Sequence, residues 1–209
     1  AVPPGTTDQM STKLTADPEA KAERRRKVLV GAGALTAIAV VGGLVTLAVI
    51  QNPPPQARED IEIAGLQTFE GLSANHVSTP VDYEQSPPVG GDRASAWLNC
   101  GVYTEAVPNE NAVHALEHGA AWVAYDSEAL SQEQVDALRT ALPAAYVVLA
   151  PYEGLDSPIV LSAWQAQVAV DSPEDERIEQ FVAEYWQSPD APEPGAACTG
   201  GLDAPGRIA

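Results

Sequence analysis

The chain has 209 residues, of which 45% are hydrophobic, and this is enough for one ordinary domain with additional segments. The formal net charge of −18 is unevenly distributed, because residues 51–209 hold 25 acidic side chains against five basic ones, whereas residues 1–27 are net basic. A domain this acidic excludes nucleic-acid binding, which depends on Lys and Arg pairing with phosphates. It favours cations or basic protein surfaces as partners, or simply solubility.

An uncharged apolar segment follows the N-terminal tail. It runs from Val28 to Ile50, and as a helix it would span about 34 Å, enough for a hydrocarbon core of about 30 Å. A basic run at residues 24–27 precedes it, and three consecutive prolines follow at residues 53–55. Because basic residues stay on the cytoplasmic side, we predict a single transmembrane helix with the N-terminus inside the cell and the domain outside.

A cleaved signal peptide is the alternative interpretation of this segment. Its apolar core would be about 7–15 residues long and would end at a small-x-small cleavage site. The run here is longer and ends in Val49-Ile50-Gln51, which favours an uncleaved anchor. Gly33/Ala37 and Ala39/Gly43 are small-residue pairs that would let another membrane helix approach closely, although such residues are common in these helices.

The predicted organisation has five parts. Residues 1–27 are a disordered basic cytoplasmic tail, residues 28–50 the transmembrane helix, and residues 51–60 a proline-rich linker. Residues 61–201 form the extracytoplasmic domain, and residues 202–209 a flexible C-terminus. The expected location is therefore the cell membrane, with the domain on the periplasmic side.

The outer domain contains several strand patterns. Alternating or continuous apolar runs predict short strands, and the longest run indicates one strand or a bent pair. The predicted strands cover residues 76–83, 97–103, 120–125 and 146–150, with the longer strand or bent pair at 158–170.

Two main helices are predicted between and after these strands. Ser131 and Gln134 have the spacing of a capping box, which begins a helix that ends at Leu142 before a proline. The second helix covers residues 173–187, with acidic side chains in its first turn and apolar ones on one face. Strands mixed with two main helices predict an α+β fold.

The chain has two cysteines, Cys100 and Cys198, and both lie outside the cytoplasm in the predicted topology. That compartment permits disulfides, and a bond would attach the Pro/Gly-rich C-terminal segment to the domain. A thiolate metal site is the alternative. We predict the disulfide.

Several short motifs follow one another along the domain. They are His76-Val77 with Val81-Asp82-Tyr83, Pro87-Pro88-Val89-Gly90-Gly91, Trp97-Leu98-Asn99-Cys100-Gly101-Val102-Tyr103, Asn109-Glu110-Asn111-Ala112-Val113-His114-Ala115-Leu116-Glu117-His118-Gly119, and Glu193-Pro194-Gly195-Ala196-Ala197-Cys198. In this order they resemble domain-of-unknown-function family 3105 of bacteria and archaea, over about residues 65–201. The resemblance implies an anchored extracytoplasmic domain, typically actinobacterial, and it assigns no activity.

One position departs from the pattern of that family. The pattern usually reads Pro-Pro-x-Gly/Ser-Gly-x-His, and in this chain the last position is Arg93. If the imidazoles of the family form a site, this chain has lost one of them or uses Arg93 in another way.

All three histidines, His76, His114 and His118, fall within these motifs. His114 and His118 are four residues apart, which puts them on one face of either a helix or a strand. Imidazole suits zinc and copper, and Glu117 or Glu110 could add an oxygen ligand. The alternative is structural, with the imidazoles hydrogen-bonding the loops around the Pro-Pro-Gly-Gly turn.

The sequence His114-x-x-Glu117-His118 also matches the inverted zinc-peptidase pattern. In that class two His bind zinc on a long helix and Glu activates water, whereas Gly119 ends any helix here at once. No other catalytic constellation is recognisable, so we expect no enzymatic activity and keep a metallohydrolase only as a remote alternative.

These features lead to two expectations about function. The first is a non-catalytic, single-pass accessory subunit whose acidic domain binds a membrane-protein assembly, with the respiratory cytochrome bc–aa3 supercomplex as one candidate. Its partners would be the membrane and other transmembrane subunits. The alternative is an extracytoplasmic protein that binds copper or zinc through His76, His114 and His118.

Overall fold

The computed structural model describes residues 60–208, together with the single positions 23, 27, 40 and 43. The predicted tail at 1–27, membrane helix at 28–50 and linker at 51–60 therefore lie almost entirely outside the described residues. Within the part that is described, no helix combines the length and the apolar character needed to cross a bilayer.

Eight strands form two sheets among residues 60–208. The larger sheet is mixed, with the order β1-β8-β7-β5-β6-β4, and the smaller one pairs β2 with β3 in parallel. The strands are β1 (Gln67–Thr68), β2 (His76–Val77), β3 (Arg93–Ala94), β4 (Gly101–Val102), β5 (Ala121–Tyr125), β6 (Val147–Pro151), β7 (Ile159–Ala163) and β8 (Ala166–Val170).

The central strand β5 lies parallel to β6 and antiparallel to β7. A helix connects β5 to β6, as a parallel pair requires, whereas β7 and β8 form a hairpin that is the bent pair expected from the sequence. The tight turn of this hairpin contains Gln165 at φ 62°. The predicted α+β class is confirmed, with a mixed sheet.

Three helices are present in residues 60–208: α1 (Asn109–Glu117), α2 (Gln132–Ala141) and α3 (Glu176–Tyr185). The predicted capping box is confirmed at α2, because the Gln134 N–H donates to Ser131 Oγ at 3.3 Å and the Ser131 N–H donates to Gln134 Oε1 at 3.0 Å. Asp175 caps α3 by accepting from the main chain of Arg177 at 2.9 Å.

The two faces of the larger sheet carry separate apolar cores. Strand β5 alternates between them, with Val123 on one face and Trp122 on the other, as the two-residue period of a strand requires. Helices α2 and α3 cover the first face, where Phe181 is fully buried. Helix α1 and the segment around Cys198 cover the second face, where Leu116 is fully buried.

One predicted strand and one helix differ between the sequence-based expectation and the structure. The strand predicted at 76–83 is only two residues long, because the main-chain N–H of Val81 donates to Glu110 Oε1 at 3.0 Å instead of to a neighbouring strand. Helix α1 was not among the two main helices expected. Its polar first turn and its short length give a weak helical pattern, although six of its nine residues are buried.

Within residues 202–208, the described part of the C-terminal segment predicted to be flexible, main-chain hydrogen bonds reach the domain. The main-chain N–H of Leu202 donates to the Trp97 carbonyl at 2.8 Å, and that of Ile208 donates to the Val102 carbonyl at 2.9 Å.

Candidate metal centre

The structure brings the rings of the three histidines together. The ring centroids of His76 and His114 lie 4.9 Å apart, and those of His114 and His118 lie 4.7 Å apart. His76 comes from β2, and the other two come from α1 and its C-cap, on the same face of the helix. The indole of Trp97 lies beside His114 and His118, with centroids 5.9 and 5.1 Å away.

Main-chain carbonyls fix the tautomers of two of these rings. Nδ1 of His114 lies 2.8 Å from the Ala94 oxygen, and Nδ1 of His118 lies 2.8 Å from the Ala197 oxygen. Because a carbonyl only accepts hydrogen bonds, each Nδ1 carries the hydrogen. A ring with its one hydrogen on Nδ1 presents the lone pair of Nε2, which is the arrangement of imidazoles that bind metal ions.

Burial keeps His114 in this neutral form. Its side chain is almost fully enclosed, and desolvation lowers its pKa to about 4, with smaller contributions in the same direction from His118, Arg93 and His76. The hydrogen bond to the Ala94 carbonyl opposes this shift but does not reverse it. Near neutral pH the ring is therefore an uncharged ligand.

Both Nε2 atoms face carboxylates at distances slightly beyond a hydrogen bond. His114 Nε2 lies 3.6 Å from Glu117 Oε2, and His118 Nε2 lies 3.7 Å from Glu193 Oε2. Two ligand atoms on one tetrahedral zinc ion lie about 3.4 Å apart, so both spacings suit a shared cation. Glu117 Oε2 is buried and has no hydrogen-bond partner within the described part of the chain.

Two overlapping sets of residues could hold an ion. In each set, one nitrogen or oxygen from every residue lies within 4.8 Å of the others. The first set is His76, His114 and Glu117, and the second is Glu117, His118 and Glu193. The three predicted histidines are thus divided between two sets that share Glu117.

The predicted alternative oxygen ligand, Glu110, belongs to neither set. Its carboxylate accepts the main-chain N–H of Val81 and so holds the loop after β2. Glu193 was not proposed from the sequence, although it begins the last of the motifs on which the family resemblance depends. Its acidic side chain directly before Pro194 in that motif was the available signal.

Arg93 lies inside the same cluster. It is 3% exposed, its Nη2 donates to Glu117 Oε1, and its guanidinium carbon lies 6.0 Å from the centre of the Trp164 ring. Strand pairing sets it directly opposite His76. The position where the family pattern has an imidazole therefore holds a permanent positive charge.

The disulfide supports the other side of the cluster. Cys100 and Cys198 are bonded, as predicted, with their Cα atoms 5.4 Å apart. The Cys100 N–H also donates to the Cys198 carbonyl at 2.8 Å. This attachment fixes residue 197, whose carbonyl orients His118, and the nearby Glu193.

Comparison with known proteins identifies one family. The model described as "Protein of unknown function (DUF3105)" matches residues 76–200, which include every residue of the candidate site. The chain belongs to this family. No curated protein and no solved structure matches it.

Proposed function

We propose that this DUF3105 domain binds one transition-metal ion, zinc or copper, with His114 and Glu117 as central ligands and His76 as the third. One observation carries the proposal: the lone pair of His114 Nε2 faces Glu117 Oε2 at 3.6 Å inside a buried cluster. Two groups that both offer electron pairs repel each other unless a cation or a proton lies between them.

A purely structural role accounts for only half of this geometry. Hydrogen bonds to the Ala94 and Ala197 carbonyls explain the Nδ1 atoms, and such bonds are also the usual support of metal-binding imidazoles. They do not explain why the Nε2 atoms meet carboxylates. Imidazole together with carboxylate suits zinc or Cu(II), and among residues 60–208 the site has no thiolate or thioether that would select Cu(I).

Solvent access supports reversible binding. His76 is exposed, and the side chain of Glu193 is 56% exposed, whereas His114 and Glu117 are buried. An ion could therefore enter through His76 or Glu193 without unfolding the domain. The site would take up and release its ion at the surface, as a carrier or sensor requires.

The same contacts favour binding over hydrolysis. The peptidase pattern requires its Glu to be available to activate water. Here one oxygen of Glu117 is engaged by Arg93, and α1 ends at Glu117 with Gly119 two residues later. We therefore propose metal binding without catalysis.

Zinc titration of the full chain in mild detergent tests the proposal. Competition with a chromophoric chelator near neutral pH should give one bound ion per chain, and His114→Ala and Glu117→Gln should each weaken binding by at least about tenfold. Glu110→Gln is the matched control, because it changes an acid of the same helix outside both ligand sets, and its affinity should equal that of the wild type. Absence of zinc and Cu(II) binding by the wild type would refute the proposal.

The second candidate function is the accessory subunit, and the acidic charge of the outer domain favours it. Residues 51–209 hold 25 acidic side chains against five basic ones, which would speed docking on a basic extracytoplasmic surface. We propose that the predicted segment at 28–50 anchors the chain beside other membrane subunits. Co-purification in mild detergent at low salt tests this, with Ala39→Ile/Gly43→Ile expected to release the protein. A chain that purifies alone under these conditions would contradict it.

A further inference from the structure

Arg93 is a buried cation inside a cluster that is otherwise suited to cations. Its guanidinium has 3% exposure, and it is paired with a carboxylate that has the same side-chain exposure. Arginine stays charged at every accessible pH. The pair is therefore a neutral unit in a region from which solvent is largely excluded.

The two oxygens of Glu117 are used differently. Oε1 accepts from Arg93 Nη2, whereas Oε2 faces His114 Nε2 and has no partner among residues 60–208. A metal ion bound at Oε2 would share this carboxylate with the guanidinium. Because the positive charge of Arg93 already balances Glu117, the carboxylate attracts a second cation less strongly.

The guanidinium of Arg93 has few polar contacts besides Glu117. Its Nε and Nη1 have no hydrogen-bond partner within the described residues, and its guanidinium carbon lies 6.0 Å from the centre of the Trp164 ring. Within that part of the chain, Glu117 is the carboxylate with which Arg93 forms its ion pair and hydrogen bond. The guanidinium and an incoming ion thus depend on the same carboxylate.

We propose that Arg93 is a resident cation that competes with the metal ion for Glu117 and sets the metal affinity of the site. This inference rests on the proposed metal-binding function and concerns its regulation. Arg93 is a positioning residue here, because it acts on the ion through Glu117. It keeps binding weak enough for exchange, and its removal tightens binding.

The test is zinc affinity of full-chain variants in mild detergent, measured by chelator competition. Arg93→Gln removes the charge and retains an amide that can donate to Glu117, so its zinc dissociation constant should fall by at least about tenfold, since one carboxylate then serves one cation. Arg93→Lys keeps the charge and should stay within about threefold of the wild type. Arg139→Gln removes an exposed charge from α2 and should change the constant by less than about twofold.

The failure of this inference is distinguishable from failure of the proposed function. If the wild type binds zinc and Arg93→Gln binds no more tightly, the inference is overturned and the function stands. If only Arg93→Gln binds, the guanidinium excludes the ion instead of adjusting its affinity, and both the function and the inference are overturned for the wild-type chain. If neither binds, both are overturned.

A second readout keeps the proposal testable if Arg93→Gln fails to fold. Nitrogen-15 NMR of the Arg93 side chain in the wild-type protein supplies this second readout. Saturating zinc should shift the Nε–Hε resonance of Arg93, because the ion then shares Glu117 with the guanidinium. An unchanged resonance in the zinc-loaded wild type would overturn the inference.

Discussion

The carbonyl oxygen of Ala197 lies 2.8 Å from Nδ1 of His118, and the next residue along the chain is the disulfide-bonded Cys198. The same segment is also attached to the end of α1, because the main-chain N–H of Glu193 donates to the Glu117 carbonyl at 3.0 Å. One connected segment thus carries the disulfide, the acceptor that orients His118 and the exposed carboxylate of the site.

Removal of the disulfide should therefore affect both stability and the site. Cys100→Ser/Cys198→Ser opens a loop with a sequence separation of 98 residues. The free energy of unfolding should fall by about 4–5 kcal/mol in the chain-entropy model. Urea unfolding followed by tryptophan fluorescence measures this loss. Wild-type protein reduced with a phosphine is the matched control, and it should unfold like the double variant. Coincident curves for the variant and the oxidised wild type would contradict the prediction.

His114 should make stability depend on pH. Burial lowers its pKa to about 4, below the ordinary value of 6.5. As pH falls, the unfolded chain binds this proton first. The contribution of neutral His114 to the free energy of unfolding is therefore fully present above about pH 6.5 and is lost towards about pH 4, by up to about 3 kcal/mol. His114→Asn, whose amide replaces the Nδ1 donor, should reduce this decline. Urea midpoints with a metal chelator present, measured across this range for both proteins, test the difference, and equal slopes would show that His114 is not responsible.

The fold was predictable where local signals are strong. The capping box at Ser131 and Gln134 fixed the start of α2, and the continuous apolar runs at β5 and β6 identified buried strands. The strand predicted after His76 was wrong beyond Val77, because alternation alone does not reveal that a side chain from α1 takes the place of a neighbouring strand.

The candidate site was only partly predictable. Spacing placed His114 and His118 on one face, because residues four apart on a helix are neighbours. His76 and Glu193 join them through contacts between distant parts of the chain, which sequence spacing does not encode. The ion pair of Arg93 with Glu117 was likewise inaccessible, since the sequence showed an unusual residue at position 93 without its partner.

The capping box of α2 should contribute measurably to stability. Ser131→Ala removes the acceptor for the Gln134 N–H and should lower the free energy of unfolding by about 1 kcal/mol. Thr140→Ala is a control in the same helix, because its hydroxyl donates only to the Asp136 carbonyl, a bond that does not favour helices. Urea denaturation should show no loss for Thr140→Ala, and equal losses for both variants would argue against the cap.

Gly119 should be the glycine whose substitution most directly disturbs the site. It follows the C-cap residue His118, has φ +94°, and a Cβ at this position would lie 3.1 Å from the Cα of Gln187. Its own carbonyl accepts the Gln187 N–H at 2.8 Å, so neither main chain can move away without losing that bond. Gly119→Ala should therefore lower the free energy of unfolding by about 2–4 kcal/mol, from backbone strain together with close contact, and should also weaken zinc binding.

Gly154→Ala separates these two causes. Gly154 has φ +76°, and a Cβ there would meet nothing within 4 Å, so alanine introduces the backbone strain alone, about 1–2 kcal/mol. It lies outside both ligand sets, and its zinc affinity should equal that of the wild type. Urea unfolding and zinc titration of the two variants together are the measurement. A larger loss for Gly119→Ala in both assays is expected, because only that substitution forces the end of α1 against residue 187. Equal losses of stability, or unchanged zinc affinity in a destabilised Gly119→Ala variant, would mean that this close approach does not position His118.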